Sequence, residues 1–132
     1  MEMHESGQMY LETIYILSQT MPYVRAVDVG AEMGYSKPSV SRGLAILKKN
    51  GYLLVDSDGH ISLTESGLEV AQTMYTRHTV ISRMLMKLGV DEKTATEDAC
   101  RIEHVISPTS FAAVQAHWEA VSAQGAGGHK AE

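Results

Sequence analysis

The sequence predicts a mainly α fold: an N-terminal helix-turn-helix unit closed by a β-hairpin, then an all-helical domain. Three observations carry that expectation. Apolar residues recur at helical spacing along most of the 132 residues. Helix starts and stops divide those stretches into six helices. Between the third and fourth, Tyr52–Val55, Asp56-Ser57-Asp58-Gly59 and His60–Leu63 read as strand, turn and strand.

The first helix is expected over about Gly7 to Gln19, where Tyr10, Ile14 and Leu17 repeat and Leu11 and Tyr15 widen the stripe. Met21-Pro22 breaks it. A short helix of about Val27 to Met33 follows, and Gly34 supplies a left-handed stop. Gly30 inside it costs roughly 1 kcal/mol against alanine, which a close neighbouring helix explains. Ser36 caps the third helix, Pro38 sits in its first turn, and Gly51 follows its end near Lys49. Val40, Leu44 and Leu47 face its core, leaving Lys37, Ser39, Ser41 and Arg42 outside. Helix, turn, helix and hairpin in that order make a winged helix-turn-helix.

Thr64 caps a long fourth helix of about Glu65 to Leu88, ended by Gly89. Met74, His78, Ile81 and Leu85 share a stripe on it, so His78 is expected to face inward. Asp91 caps a fifth helix to about Ile106, and Ser107-Pro108 opens a sixth to about Ala123. The stripe of Phe111, Val114, Trp118 and Val121 on the sixth is expected to pack on a neighbour or a second subunit. The expected domains are residues 1–64, 65–124 and a disordered tail, 125–132.

Apolar residues make up 44%, an ordinary soluble composition. No run of eighteen apolar residues suits a membrane span, and Met1–Glu5 is unlike a signal peptide. The single cysteine fits a reducing cytoplasm. Net charge is −5, but residues 23–52 balance at +3 and residues 65–124 at −3. A basic segment followed by an acidic one suggests a DNA-facing part and a cation-binding part.

The fifth helix carries the main constellation. Cys100, Glu103 and His104 stand at i, i+3 and i+4, on one face. Each alone has a plain reading: a small hydrophobe, a surface acid, a core histidine. Together with inward His78, and with Met9 and Glu12 one turn apart on the first helix, they form a donor set suited to a divalent transition metal. A buried acid beside a histidine and a thiol needs a charge partner, and a cation supplies it.

Met9-Tyr10-Leu11-Glu12-Thr13-Ile14-Tyr15, Ser36-Lys37-Pro38-Ser39-Val40-Ser41 and Glu97–Ser107 resemble three motifs of the diphtheria toxin repressor and manganese transport regulator family. The resemblance spans about Met9 to Ala123 and implies a metal-dependent DNA-binding repressor, not an enzyme. It implies Met9, Cys100, Glu103 and His104 as an iron-type site, with Glu12 and His78 at manganese-type positions. Ser82 and Thr96 stand where the iron branch has ancillary ligands, and the chain ends where that branch continues into an SH3-like domain.

Thioether and thiol donors favour Fe²⁺, with Mn²⁺ second and Zn²⁺, Co²⁺ or Ni²⁺ able to substitute in vitro. The expected partners are a second copy of the chain and an inverted-repeat operator in duplex DNA. Arg42 is the candidate for a base edge, with Lys37 and Ser39 for base or phosphate. The resemblance adds Ser36 and Pro38 as contacts to thymine methyls. Arg25, Lys48 and Lys49 are phosphate candidates, although the last two also complement the helix dipole. Rival readings are a winged-helix regulator sensing a non-metal ligand, a metalloenzyme using Glu103 as base, and a metal buffer without a DNA role.

Overall fold

The computed structural model describes residues 5–128. Among them the elements run α1 (Glu5–Ser18), α2 (Ala26–Met33), α3 (Lys37–Lys49), β1 (Leu53–Val55), β2 (Ile61–Leu63), α4 (Glu65–Lys87), α5 (Glu92–Val105) and α6 (Pro108–Gly128). The chain divides into two compact units, at Tyr75 and Thr76 within α4.

In the N-terminal unit Tyr10, Leu11 and Ile14 of α1 are buried with Val29 of α2 and with Val40, Leu44 and Leu47 of α3. Two glycines set the helix approaches. A Cβ on Gly30 would lie 3.3 Å from Val40 Cγ2, so α2 and α3 pack closely there, as the propensity cost suggested. A Cβ on Gly43 would fall 2.5 Å from the Tyr10 ring, which lies against α3 and donates its hydroxyl to Ser39 O at 3.2 Å. Gly34 stops α2 at φ 72°.

The hairpin pairs Leu53 with Leu63, Leu54 with Ser62 and Val55 with Ile61, antiparallel. Ile61 N–H also donates to Val24 O, fastening the hairpin to the segment that leads into α2. The expected boundary at residues 64/65 follows the end of the hairpin. The compact unit instead runs on to Tyr75, because Ala71 is fully buried in the N-terminal core and Val70 packs on it.

In the C-terminal unit Val80 and Ile81 of α4, Ala99 of α5 and Phe111 of α6 form the core, with Val114 and Trp118 packed against it. The α6 stripe therefore covers α4 and α5. The helix runs to Gly128 rather than stopping at Ala123, so residues 125–128 are helical and not a disordered tail. Alanine and helix-compatible side chains dominate residues 112–124, and nothing there breaks the pattern before Gly125. The rest of the expected tail, residues 129–132, lies outside the described residues. Among the described residues, no helix is long and apolar enough to cross a membrane.

Candidate metal centre and nucleic-acid interface

The register of α5 is set at its start. Asp91 accepts the Thr94 N–H at 3.0 Å, and that amide holds the Asp91 carboxyl below its usual value. Twelve residues on, Glu103 is fully buried. Its Oε1 lies 2.9 Å from His78 Nδ1 and its Oε2 lies 3.2 Å from His104 Nε2. The His104 side chain is 1% exposed and that of His78 26% exposed, so the group has an open side at α4. Cys100, one turn earlier on α5, is exposed, unlike the buried small hydrophobe of its plain reading.

One residue missed from the sequence fixes this arrangement. Arg77, buried on α4, donates through Nη1 to the backbone oxygens of Glu103 and Ile106, both at 3.0 Å. Its guanidinium lies over the Phe111 ring at 5.6 Å. A cation thus satisfies the last carbonyls of α5 and locks the Glu103–His104 segment against the helix that carries His78. The only local hint was an arginine beside an inward histidine.

The donors fit a divalent transition metal. A carboxylate with no exposure is costly unless positive charge offsets it. Two imidazole nitrogens converge on it, and a thiol stands one turn away on the same helix. Met9 and Glu12 lie on α1 in the N-terminal unit, Met9 half-buried and Glu12 buried. Ser82 is buried and donates its hydroxyl to Thr79 O at 3.2 Å, a bond within its own helix.

In the N-terminal unit Ser36 caps α3, its Oγ accepting the Ser39 N–H at 3.3 Å. Lys37, Pro38, Ser41, Arg42, Lys48 and Lys49 are exposed on α3, and Arg25 is exposed at the N-cap of α2. Ser39 departs from expectation. It is half-buried, its hydroxyl lies 3.0 Å from that of Ser36, and its carbonyl accepts from Tyr10. Burial raises the Tyr10 phenol above its usual value, keeping it a donor. The hairpin turn carries exposed Asp56 and Asp58. The His60 amide, ahead of that of Asp58, holds Asp56 below its usual value.

Two family profiles match the chain. That for the iron dependent repressor, N-terminal DNA binding domain, covers residues 2–61. That for the iron dependent repressor, metal binding and dimerisation domain, covers residues 64–125. The iron-dependent repressor IdeR of Mycobacterium tuberculosis is 31% identical over 107 residues, 80% of this chain and 46% of that protein. The uncharacterized HTH-type transcriptional regulator MJ0568 of Methanocaldococcus jannaschii is 32% identical over 107 residues, 80% of this chain and 86% of that one. A solved structure, that of the manganese regulator SloR, matches with a TM-score of 0.76 at 25% identity, over 86% of this chain and 53% of that one. The chain therefore spans about half the length of IdeR and of SloR.

Proposed function

The chain belongs to the iron-dependent repressor family, and from that premise we propose that it is a metal-activated transcriptional regulator. It acts in the cytoplasm as a homodimer on an inverted-repeat operator and represses metal-uptake genes. The observation that carries this reading is the fully buried Glu103 carboxylate facing His78 and His104. It supports a cation site within the residues that match the metal-binding profile.

The proposed ligands are Met9, Glu12, His78, Cys100, Glu103 and His104. A bound divalent ion supplies the positive charge that offsets the buried carboxylate. The sulfur donors favour Fe²⁺ as effector with Mn²⁺ second. The relatives named above include an iron-dependent repressor and a manganese regulator, so both belong in the test. On this proposal metal occupancy is coupled to DNA binding. The effector must favour the DNA-competent arrangement, and linkage then makes DNA tighten metal binding by the same factor.

On the DNA side α3 lies in the major groove, and the two copies in a dimer reach grooves one turn apart, roughly 34 Å. Arg42 reads a base edge, Lys37 and Ser39 meet a base or a phosphate, and Arg25, Lys48 and Lys49 hold phosphates. Ser36 and Pro38 offer apolar contact beside them. The deciding experiment is operator selection from random duplex DNA with Fe²⁺, Mn²⁺, Zn²⁺ and chelator in parallel under anaerobic conditions. Enrichment with metal and none with chelator is expected. Equal enrichment in chelator removes the metal reading and favours a non-metal ligand. Activation by Mn²⁺ at lower free concentration than Fe²⁺ overturns the iron assignment.

The Arg42→Ala variant is expected to lose about tenfold or more of its discrimination between operator and mixed-sequence DNA, at unchanged metal affinity. Discrimination equal to the parent's takes Arg42 out of base readout.

A further inference from the structure

The wing, residues 52–63, contains no lysine or arginine, and its turn carries two acids. It brings no cation of its own to a phosphate backbone. A side-chain cluster at its base offers it an indirect route to DNA.

The bond from Ile61 N–H to Val24 O, 2.7 Å long, sets the returning strand beside the residues that enter α2. Across that bridge Arg25 Nη2 lies 3.2 Å from His60 Nε2. His60 Nδ1 lies 3.3 Å from Asp56 Oδ2. Tyr23 stacks on the imidazole with ring centres 4.1 Å apart and planes 15° apart. Asp56 is itself held, its Oδ1 accepting the amides of Asp58 and His60 at 2.8 and 2.9 Å.

The two ring nitrogens face partners of opposite character. A guanidinium only donates, so Nε2 presents its lone pair to Arg25. A carboxylate only accepts, so Nδ1 carries the proton. His60 lies flat against Tyr23, with Nδ1 facing the Asp56 carboxylate and Nε2 facing the Arg25 guanidinium.

We propose that His60 is a positioning residue for DNA binding, holding the Arg25 guanidinium at the N-terminus of α2 for a backbone phosphate. The inference rests on the reading of this chain as a DNA-binding regulator and of Arg25 as a phosphate contact. Arg25 is the N-cap of α2, with its own N–H bonded to Asp28 Oδ2 at 2.9 Å. The first helix of a helix-turn-helix crosses the phosphate backbone. An exposed arginine ordinarily samples many rotamers. One already held by an acceptor loses less entropy when it meets a phosphate. The wing thus acts on DNA through a residue of another element.

The test uses the full metal-loaded chain and a short mixed-sequence duplex at low salt, because phosphate contacts are independent of sequence. The assay pH is about 8, where histidine is ordinarily neutral. Arg25→Ala is expected to weaken binding about tenfold and to flatten the slope of log affinity against log salt by about one. His60→Met keeps an apolar body of similar size but no acceptor for Arg25. It is expected to lose most of what Arg25→Ala loses, although it removes no charge. His60→Gln, which carries an acceptor oxygen, is expected to bind like the parent. The double variant Arg25→Ala, His60→Met is expected to be no weaker than Arg25→Ala alone. Thermal unfolding of each variant confirms that it is folded.

Equal binding by the Met and Gln variants overturns the proposal, and so does additivity in the double variant. If Arg25→Ala binds like the parent, the phosphate role of Arg25 fails and the proposal falls with it. If the parent does not bind duplex DNA at all, the functional reading itself is what fails.

Discussion

Glu103→Ala is expected to abolish metal-dependent DNA binding and to leave a folded protein. Glu103 is fully buried, and both its oxygens face imidazole nitrogens. Removing the carboxylate deletes the one carboxylate donor proposed in the C-terminal unit and leaves His78 and His104 without it. Two effects on the apo protein oppose each other. The imidazoles lose a hydrogen-bonding partner, at a cost of about 1–3 kcal/mol, while the desolvation penalty of a buried charge disappears. The backbone oxygen of residue 103, which Arg77 holds, is untouched. Stability without metal should therefore move little, whereas metal affinity should fall by at least about a hundredfold. Thermal unfolding reads both at once. With free metal at a hundred times the parent's Kd, the parent gains about 2.7 kcal/mol, and the variant is expected to gain about 0.4 kcal/mol or less. An undiminished metal response in the variant places the site elsewhere.

The second large effect is structural. Gly67→Ala is expected to destabilise the N-terminal unit by about 2 kcal/mol, a fall of roughly 5–10 °C in Tm. A Cβ at this position in the first turn of α4 would lie 2.0 Å from the Tyr52 carbonyl oxygen. That neighbour is backbone, so no side-chain rotation relieves the overlap. The turn cannot simply back away, because it is tied to the same strand base. Thr64 N–H donates to Tyr52 O at 3.2 Å, and the Thr64 hydroxyl donates to Gly51 O at 2.7 Å. The gain of roughly 1 kcal/mol in helix propensity from alanine is already set against the overlap in that figure. A variant as stable as the parent would show that α4 can shift without loss.

Much of the fold was legible because its signals are local. Ser36, Thr64 and Asp91 stand at helix starts and accept the expected amides. Gly34 and Gly89 have the positive φ that a stop needs. The convergence of His78, Glu103 and His104 was readable from two helical stripes that face each other. What escaped depends on partners distant in sequence. Arg77 reads as an ordinary helix arginine until the end of α5 is placed beside it. His60 carries no local signal, because its partners Tyr23 and Arg25 lie more than thirty residues earlier. Gly43 and Gly67 carry no turn signature, since each makes room for a neighbour and not for a backbone twist. α6 runs past the expected end near Ala123 to Gly128, through Gly/Ala-rich residues whose composition reads as a tail.

The grip of Arg77 on α5 falls on main-chain oxygens and on no ligand side chain. Exchanging a sulfur for an oxygen donor at position 100 leaves that anchorage as it was. On the proposed ligand set, a point substitution there would change the donor without remaking the frame that presents it.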